Sequence, residues 1–420
     1  MNICLLCYRG NKYCGGQGVY LYYLSRELVR LGHEVDVLVG PPYPDLAEGV
    51  GEHRLESLNL YDRRNGRWWE LHLPADNPLR VFEPLNLSEV AGTAAGMFPE
   101  IVTFSMRAYL KIRQLMPQRR FDIIHDNQCL AFGLLPMRGL GVPLVATIHH
   151  PLPIDTRADV AQALSTWARF RRILFYPPLM QGIVARRLDG VITDSNSSIH
   201  EIAQAFRVPD ERMRLVYPGI DTDVFTMRDG HEGESGRLVM VGRTDDHKKG
   251  ILYLLQALAI LKARGGHYRL TIVDDVNPRD SYALELIGRL GIEEMVTFTG
   301  RVSMEGLVHH YHAAEIAVTA STYEGFGFPA AEAMACGVPV IATQVGALPE
   351  VVKGEETGLL VPPRDAYALA AAIERLHDDR ELRQRLAAAG RRRVERCFSW
   401  EQAARQVVDV YQEVLAARGS

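Results

Sequence analysis

The sequence predicts an α/β protein made of two doubly wound parallel-sheet domains facing across a cleft. Three observations lead there: short β-rich runs alternate with helical stretches, the alternation breaks once in a polar glycine-rich segment, and it then resumes. The first run, 3–7, is followed by a glycine-rich loop and a helical pattern from about Val19 to Leu31. Gly32 stands where that helix ends, and a second apolar run covers 34–39. Runs at 121–125, 142–148 and 190–193 continue the pattern, and the last leads to a helix start where Ser198 and Glu201 have capping-box spacing. Between 217 and 236 YPGIDTDVF gives way to TMRDGHEGESG, which has no apolar periodicity and reads as the linker. Beyond it come a strand in RLVMVG, a helix at about 249–264, and strands at 268–273, 296–299, 316–320, 338–342 and 359–361. The expected domains are therefore 1–217 and 218–398. In the tail, Trp400, Ala404, Val407, Val408, Tyr411, Val414 and Leu415 share one helical stripe, so 399–420 is expected to pack back on the first domain.

Of the 420 residues 47% are hydrophobic, enough to bury real cores, and the net charge of -4 supplies no overall field that would select nucleic acid. The start carries no basic leader, and the apolar run at 3–8 is too short for a signal peptide or a span, so a cytoplasmic chain is expected. Cys4, Cys7, Cys14, Cys129, Cys336 and Cys397 are scattered and read as reduced thiols. Cys4 and Cys7 fall three apart on one strand and point to opposite faces, which argues against joint metal binding. His309, His310 and His312 read as surface or packing residues of a helix.

The most informative segment is STYEGFGFPAAEAMACGVPVIAT at 321–343, which follows a strand and leads through a helix to another strand. Glu324 lies in the connecting loop, and Glu332 about one turn into a helix that Pro329 can begin. Gly325 and Gly327 let backbone N–H groups approach a ligand, and a helix N-terminus behind them favours a diphosphate. Two carboxylates at this spacing can accept hydrogen bonds from sugar and ribose hydroxyls on either side of it. In VGRTDDHKKGI, Arg243 and Lys249 flank a short loop that can aim two cations at the same diphosphate. In CGGQGVY, Gly15, Gly16 and Gly18 allow close approach in a loop after the first strand, but their GGxG spacing does not fit a dinucleotide fingerprint.

With these segments in place, the chain resembles the retaining glycosyltransferases of family four (glycosyl transferases group 1), whose fold is GT-B, two Rossmann-like domains. The resemblance runs nearly end to end, through CGGQG, RLGHEVDVL, FDIIH, ATIHHP, ITDSNSS, YPGIDTDVF, VGRTDDHKKG, EGFGFPAAE and FSW. It implies that Glu332 binds the donor ribose, that Glu324 stands beside the donor sugar and phosphate, and that Arg243 and Lys249 hold the diphosphate. It further implies that Gly16 approaches the donor, that the backbone of Gly325, Phe326 and Gly327 meets the sugar hydroxyls, and that His149 bonds the donor sugar, with His150 as the neighbouring alternative. Two departures stand out. TIVDDVNPRD places Asp274 and Asp275 where the family often has a glycine-rich turn, and the loop from Arg243 to Lys249 is one residue longer than the common form.

The expected reaction moves a sugar from a UDP- or GDP-sugar to an acceptor hydroxyl of a glycan, glycolipid or small molecule. It proceeds with retention by front-side attack, without a divalent ion and with no cofactor beyond the nucleotide-sugar donor. The rival readings are a phosphorylase or sugar-nucleotide epimerase of the same fold, an NAD-dependent dehydrogenase, which the missing GxGxxG disfavours, and a two-lobed binding protein. The stretch 167–188 interleaves Arg169, Arg171, Arg172, Arg186 and Arg187 with Trp167, Phe170, Phe175 and Tyr176, a pattern that suits either an ordinary helical pair or peripheral contact with the inner membrane face.

Overall fold

A computed structural model describes residues 1–11, 16–60, 78–95, 97–151, 178–228, 233–274 and 282–419. Cys14, Gly15, Asp275 and most of the arginine–aromatic stretch, 167–177, lie outside the described residues. The chain divides into two compact units, one of 1–194, 198–216 and 401–420, the other of 195–197 and 217–400.

The first unit is built on a seven-stranded sheet of β1 (Asn2–Cys7), β2 (Glu34–Val39), β3 (Gly51–Arg54), β4 (Ile123–Asn127), β5 (Leu144–Thr147), β6 (Gly190–Thr193) and β7 (Met213–Leu215). Every pairing is parallel and the order is β3-β2-β1-β4-β5-β6-β7. Because helices cover both faces of such a sheet, its central strands read as unbroken buried runs instead of alternating ones, as ICLLC in β1 does. The connecting helices are α1 (Gly16–Arg30), α2 (Pro84–Ala94), α3 (Glu100–Leu115), α4 (Leu134–Met137), α5 (Pro178–Ala185) and α6 (Asn196–Phe206).

Two expectations are corrected here. Helix α1 begins at Gly16, three residues earlier than the apolar pattern indicates, so Gly16 and the buried Gly18 occupy its first turn and not a loop. Helix α6 begins at Asn196, which puts Ser198 inside it, where the hydroxyl faces the His149 carbonyl at 3.2 Å and an Asp194 carboxylate oxygen at 3.4 Å.

The second unit carries a six-stranded parallel sheet of β8 (Glu234–Val241), β9 (Arg269–Val273), β10 (Val296–Phe298), β11 (Ala314–Thr319), β12 (Val340–Thr343) and β13 (Leu359–Val361), in the order β10-β9-β8-β11-β12-β13. Its helices are α7 (Ile251–Ala263), α8 (Tyr282–Leu290), α9 (Met304–Ala313), α10 (Phe328–Ala335), α11 (Leu348–Val351), α12 (Ala366–Asp378) and α13 (Arg380–Cys397). Two apolar clusters fill this unit, one around α7 and α12 and the other around α10 and the end of α13. The strand order reverses between β8 and β11, the switch point at which open α/β sheets leave room for a ligand outside their carboxyl ends.

The last helix, α14 (Trp400–Gly419), buries Trp400, Ala403, Ala404, Val407, Val410 and Tyr411. From Glu401 onward it belongs to the first unit. There the Tyr411 hydroxyl lies 2.5 Å from Nδ1 of the buried His125, and Val414 packs so closely on Gly190 that a side chain there would be crowded. Among the described residues no helix is long and apolar enough to cross a membrane.

Candidate functional site

In the second unit β8 and β11 run side by side in the same direction, so the loops that follow them leave the sheet at the same edge. They are tied backbone to backbone: the Thr322 N–H donates to the Lys248 carbonyl at 2.7 Å. Gly250 makes that approach possible, because it holds φ at +66° and a Cβ there would lie 1.9 Å from the Ala320 oxygen. On the other side of the turn, the Ala347 N–H donates to the Glu324 carbonyl at 3.0 Å.

This scaffold brings Lys249 and Glu324 together. The ammonium lies 2.9 and 3.2 Å from the two carboxylate oxygens, and the Ser321 hydroxyl donates to Oε2 at 3.0 Å. Both side chains are largely buried, at 22% and 13% exposure. Burial alone would pull the lysine pKa down, but the Glu324 carboxylate, helped by Asp246 and Glu332, outweighs it and leaves the ammonium above its ordinary value. Glu332 comes from the second turn of α10 and accepts a hydrogen bond from the Tyr311 hydroxyl at 2.8 Å. Burial pushes its carboxyl up to about 7, against the opposing pull of that bond and of the Lys249 charge. Two acids eight positions apart thus act on one ammonium, the loop supplying one and the helix the other.

Between them, Gly327 caps α10 with φ at +102° and no side chain bonds the helix's first N–H groups, an arrangement suited to an anion. The Phe326 ring is buried against Tyr217, Phe328 and Phe398 and pins the Gly325–Gly327 turn from behind.

Arg243 is placed differently from Lys249. Its guanidinium forks onto Asp245, Nε to Oδ1 at 3.0 Å and an Nη to Oδ2 at 2.6 Å. Beneath the same loop, Oδ2 of the buried Asp274 accepts from both the Thr244 N–H at 2.7 Å and the Thr244 hydroxyl at 2.5 Å. The sequence reading treated Asp274 only as a departure, yet it anchors the cation loop. Val241 and Val273 are partners in register, so residues just beyond both strands meet at one sheet edge.

In the first unit the carboxyl ends of β4, β5 and β6 carry a buried polar network. His149 directs Nδ1 to Asp194 at 3.1 Å and Nε2 to Asn127 Oδ1 at 2.9 Å, with Tyr20 edge-on to its ring at 4.9 Å. The Asn127 amide donates to the Gln17 carbonyl at 3.0 Å, tying the network to the start of α1. Gln128 brackets both histidines, accepting from the His149 N–H at 2.6 Å and donating to the His150 carbonyl at 2.8 Å. Asn127, Gln128 and Asp194 were not singled out from sequence. Both ring nitrogens of His149 therefore face protein groups. Burial pulls His125 down to about 3 and raises the Asp194 carboxyl against its bond with His149.

Other candidates resolve simply. Cys4, Cys7, Cys129 and Cys336 are buried reduced thiols, and His312 donates from Nε2 to the Thr226 carbonyl at 2.6 Å. Arg186 and Arg187 reach the carbonyls of Phe206 and Ile183. Among the described residues no group of three or more His, Cys, Asp or Glu is placed to hold a metal ion. A cavity of about 290 Å³ in the second unit, lined in part by Ala314, Cys336, Val338 and Pro339, lies toward the amino ends of β11 and β12 and is not lined by Arg243, Lys249, Glu324 or Glu332.

Comparison with known proteins bears on the family and the fold. Residues 14–224 match the family described as glycosyltransferase family 4, and 226–393 match glycosyl transferases group 1. A relative named MMP α-(1→4)-mannosyltransferase, from Mycolicibacterium hassiacum, is 40% identical over 424 residues, covering 99% of each chain. A D-inositol 3-phosphate glycosyltransferase from Saccharomonospora viridis is 28% identical over 97% of this chain and 91% of its own. Among solved structures, sucrose-phosphate synthase from Thermosynechococcus elongatus superimposes with a TM-score of 0.74 at 25% identity, over 99% of this chain and 100% of that one. Anabaena HepE in complex with UDP and glucose shares the fold, with a TM-score of 0.69 at 20% identity over 98% and 99%. The two-sheet architecture is GT-B, and the chain belongs to the group 1, family 4 glycosyltransferases, enzymes that transfer a sugar from a nucleotide sugar.

Proposed function

We propose that the chain is a retaining, metal-independent hexosyltransferase, with mannosyl as the transferred group, whose donor diphosphate binds where Lys249, Glu324 and Glu332 converge in front of α10. That convergence carries the reading. A leaving nucleoside diphosphate gains negative charge in the transition state, and a preorganised Lys249, joined by Arg243, stabilises that charge without solvent reorganisation. Glu324 orients the ammonium and faces the sugar and phosphate, while Glu332 accepts from the ribose hydroxyls. The N–H groups of Gly325, Phe326 and Gly327 meet the sugar, and in the first unit Gly16 approaches the donor and His149 steadies the reaction centre.

The choice of mannosyl and of retention follows the 40% identical relative, whose name specifies an α-(1→4) mannosyl linkage. Nucleoside diphosphate mannose is itself α-linked, so an α-product keeps the anomeric configuration. The acceptor hydroxyl then enters on the face from which the diphosphate departs and gives its proton to a donor phosphate oxygen, so no side-chain nucleophile is needed.

Screening GDP-, UDP- and ADP-sugars by thermal shift, then following the product's anomeric signal by NMR with and without EDTA, tests the whole reading. An α-linked product, unchanged by EDTA, is expected. A β-linked product overturns retention, and loss of turnover in EDTA restored by magnesium overturns metal independence.

Asp274→Ala removes the acceptor for two Thr244 donors beneath the cation loop and is expected to raise the donor KM about ten-fold, the worth of a buried donor left unpaired. Asp274→Asn retains an acceptor and should lose less. Steady-state kinetics with the donor varied decides it, and an unchanged KM in Asp274→Ala contradicts the anchoring role.

A further inference from the structure

We infer that Asp245 is an internal competitor for the donor diphosphate: it occupies the Arg243 fork in the donor-free protein and must be expelled for the nucleotide to bind. The inference rests on the reading of Arg243 as a diphosphate ligand and adds a residue that sets donor affinity and diphosphate release.

The geometry is that of one anion standing in for another. A carboxylate presents two oxygens to the guanidinium in the same planar, two-point way that a phosphate presents two non-bridging oxygens, and the fork that accepts one cannot fully accept the other. Asp245 meets Arg243 at 3.0 and 2.6 Å by both of its oxygens. It stands only two residues further along the same loop, so little chain entropy is lost in holding the pair closed.

The second cation makes the contrast. Lys249 is also paired, but with Glu324, in a largely buried contact reinforced by Ser321. The Arg243–Asp245 pair is open to solvent, with side chains 58% and 48% exposed, so its carboxylate can swing into water at small cost. Of the two acid–base pairs, this is the one built to exchange. The guanidinium also holds the Asp245 carboxyl below its ordinary range, so the competing charge persists through neutral pH.

The consequence is a gain of affinity on deleting a charge. Exposed ion pairs of this kind are worth about two- to five-fold in an equilibrium constant. Asp245→Asn and Asp245→Ala should therefore bind GDP, UDP and inorganic pyrophosphate about two- to five-fold more tightly than the unmodified enzyme. A damaged or loosened loop cannot produce this result.

Isothermal titration of the full-length protein with the three probes, in four backgrounds, tests it: unmodified, Asp245→Asn, Arg243→Ala and the double variant. Tighter binding in Asp245→Asn that disappears when Arg243 is also alanine supports competition for the fork. Unchanged or weaker binding in Asp245→Asn overturns the inference, as does an equal gain in the Arg243→Ala background, which would mean a diffuse field effect. If the unmodified enzyme binds none of the three probes, or if Arg243→Ala binds as well as the unmodified enzyme, the failure belongs to the reading of the diphosphate site instead.

Discussion

Lys249→Ala is expected to lower turnover by about 10²- to 10³-fold while leaving the fold intact, the usual cost of deleting one preorganised group that meets developing charge. The ammonium is held in advance by Glu324 at 2.9 Å and by the backbone tie between Thr322 and Lys248, so the free enzyme has already met the cost of orienting it. Stability should change little, because Glu324 keeps the Ser321 hydroxyl and some access to water. Glu324→Ala should show a loss of similar size. The double variant should be far less impaired than the product of the two single effects, since the pair acts as one device. Steady-state kinetics together with thermal melts checks both statements. A loss under ten-fold in Lys249→Ala would remove the cation from the mechanism.

Glu332→Gln is expected to stabilise the protein at pH 8 and to impair it as an enzyme. Folding raises this carboxyl from 4.5 to about 7. Between those values the folded state keeps a proton that the unfolded state has released, so stability falls as pH rises across that window, and above pH 7 the full penalty remains. A shift of this size corresponds to at most about 3 kcal/mol, less where water reaches the group. Glutamine keeps an acceptor for the Tyr311 hydroxyl without that penalty. At pH 8 the variant should therefore melt several degrees higher than the unmodified protein, at roughly 2–4 °C per kcal/mol, and at pH 4.5 the two should coincide. Donor affinity should drop about ten-fold, because an amide is a weaker acceptor for ribose hydroxyls than a charged carboxylate. Calorimetry at both pH values is the check, and an equal or lower melting temperature at pH 8 contradicts the burial argument.

Periodicity placed every strand but two within about three residues, and 34–39, 190–193 and 359–361 without error, because strands covered by helices on both faces read as short buried runs. It missed β3 and β7, whose sequences GEHR and MRL sit at the sheet edges and carry no apolar run. Helix α1 was started late because Gly16 and Gly18 have poor intrinsic helical preference, which tertiary packing overrode. At the site, the acid–cation convergence was legible because its members lie on two short loops with strong local signals. Asp274 and the partners of His149 were not, since each meets its partner only through strand neighbours far away in sequence. The Arg243 pairing was hidden for the opposite reason: Asp245 was visible two residues away, and nothing in a linear string says which anion a guanidinium will hold.

The discontinuity of the first unit bears on how the protein is made. Its final helix arrives only with residues 401–420, after all of 217–400 has been synthesised. Until residues 411–414 have been made, His125 lacks the Tyr411 hydroxyl and Gly190 lacks the cover of Val414. The later-translated unit, apart from its three residues at 195–197, is one continuous stretch and can settle as it emerges, while the earlier one waits unfinished. Synthesis order and completion order are thus reversed, and loss of 401–420 would spare the second unit yet leave the first with an open seam.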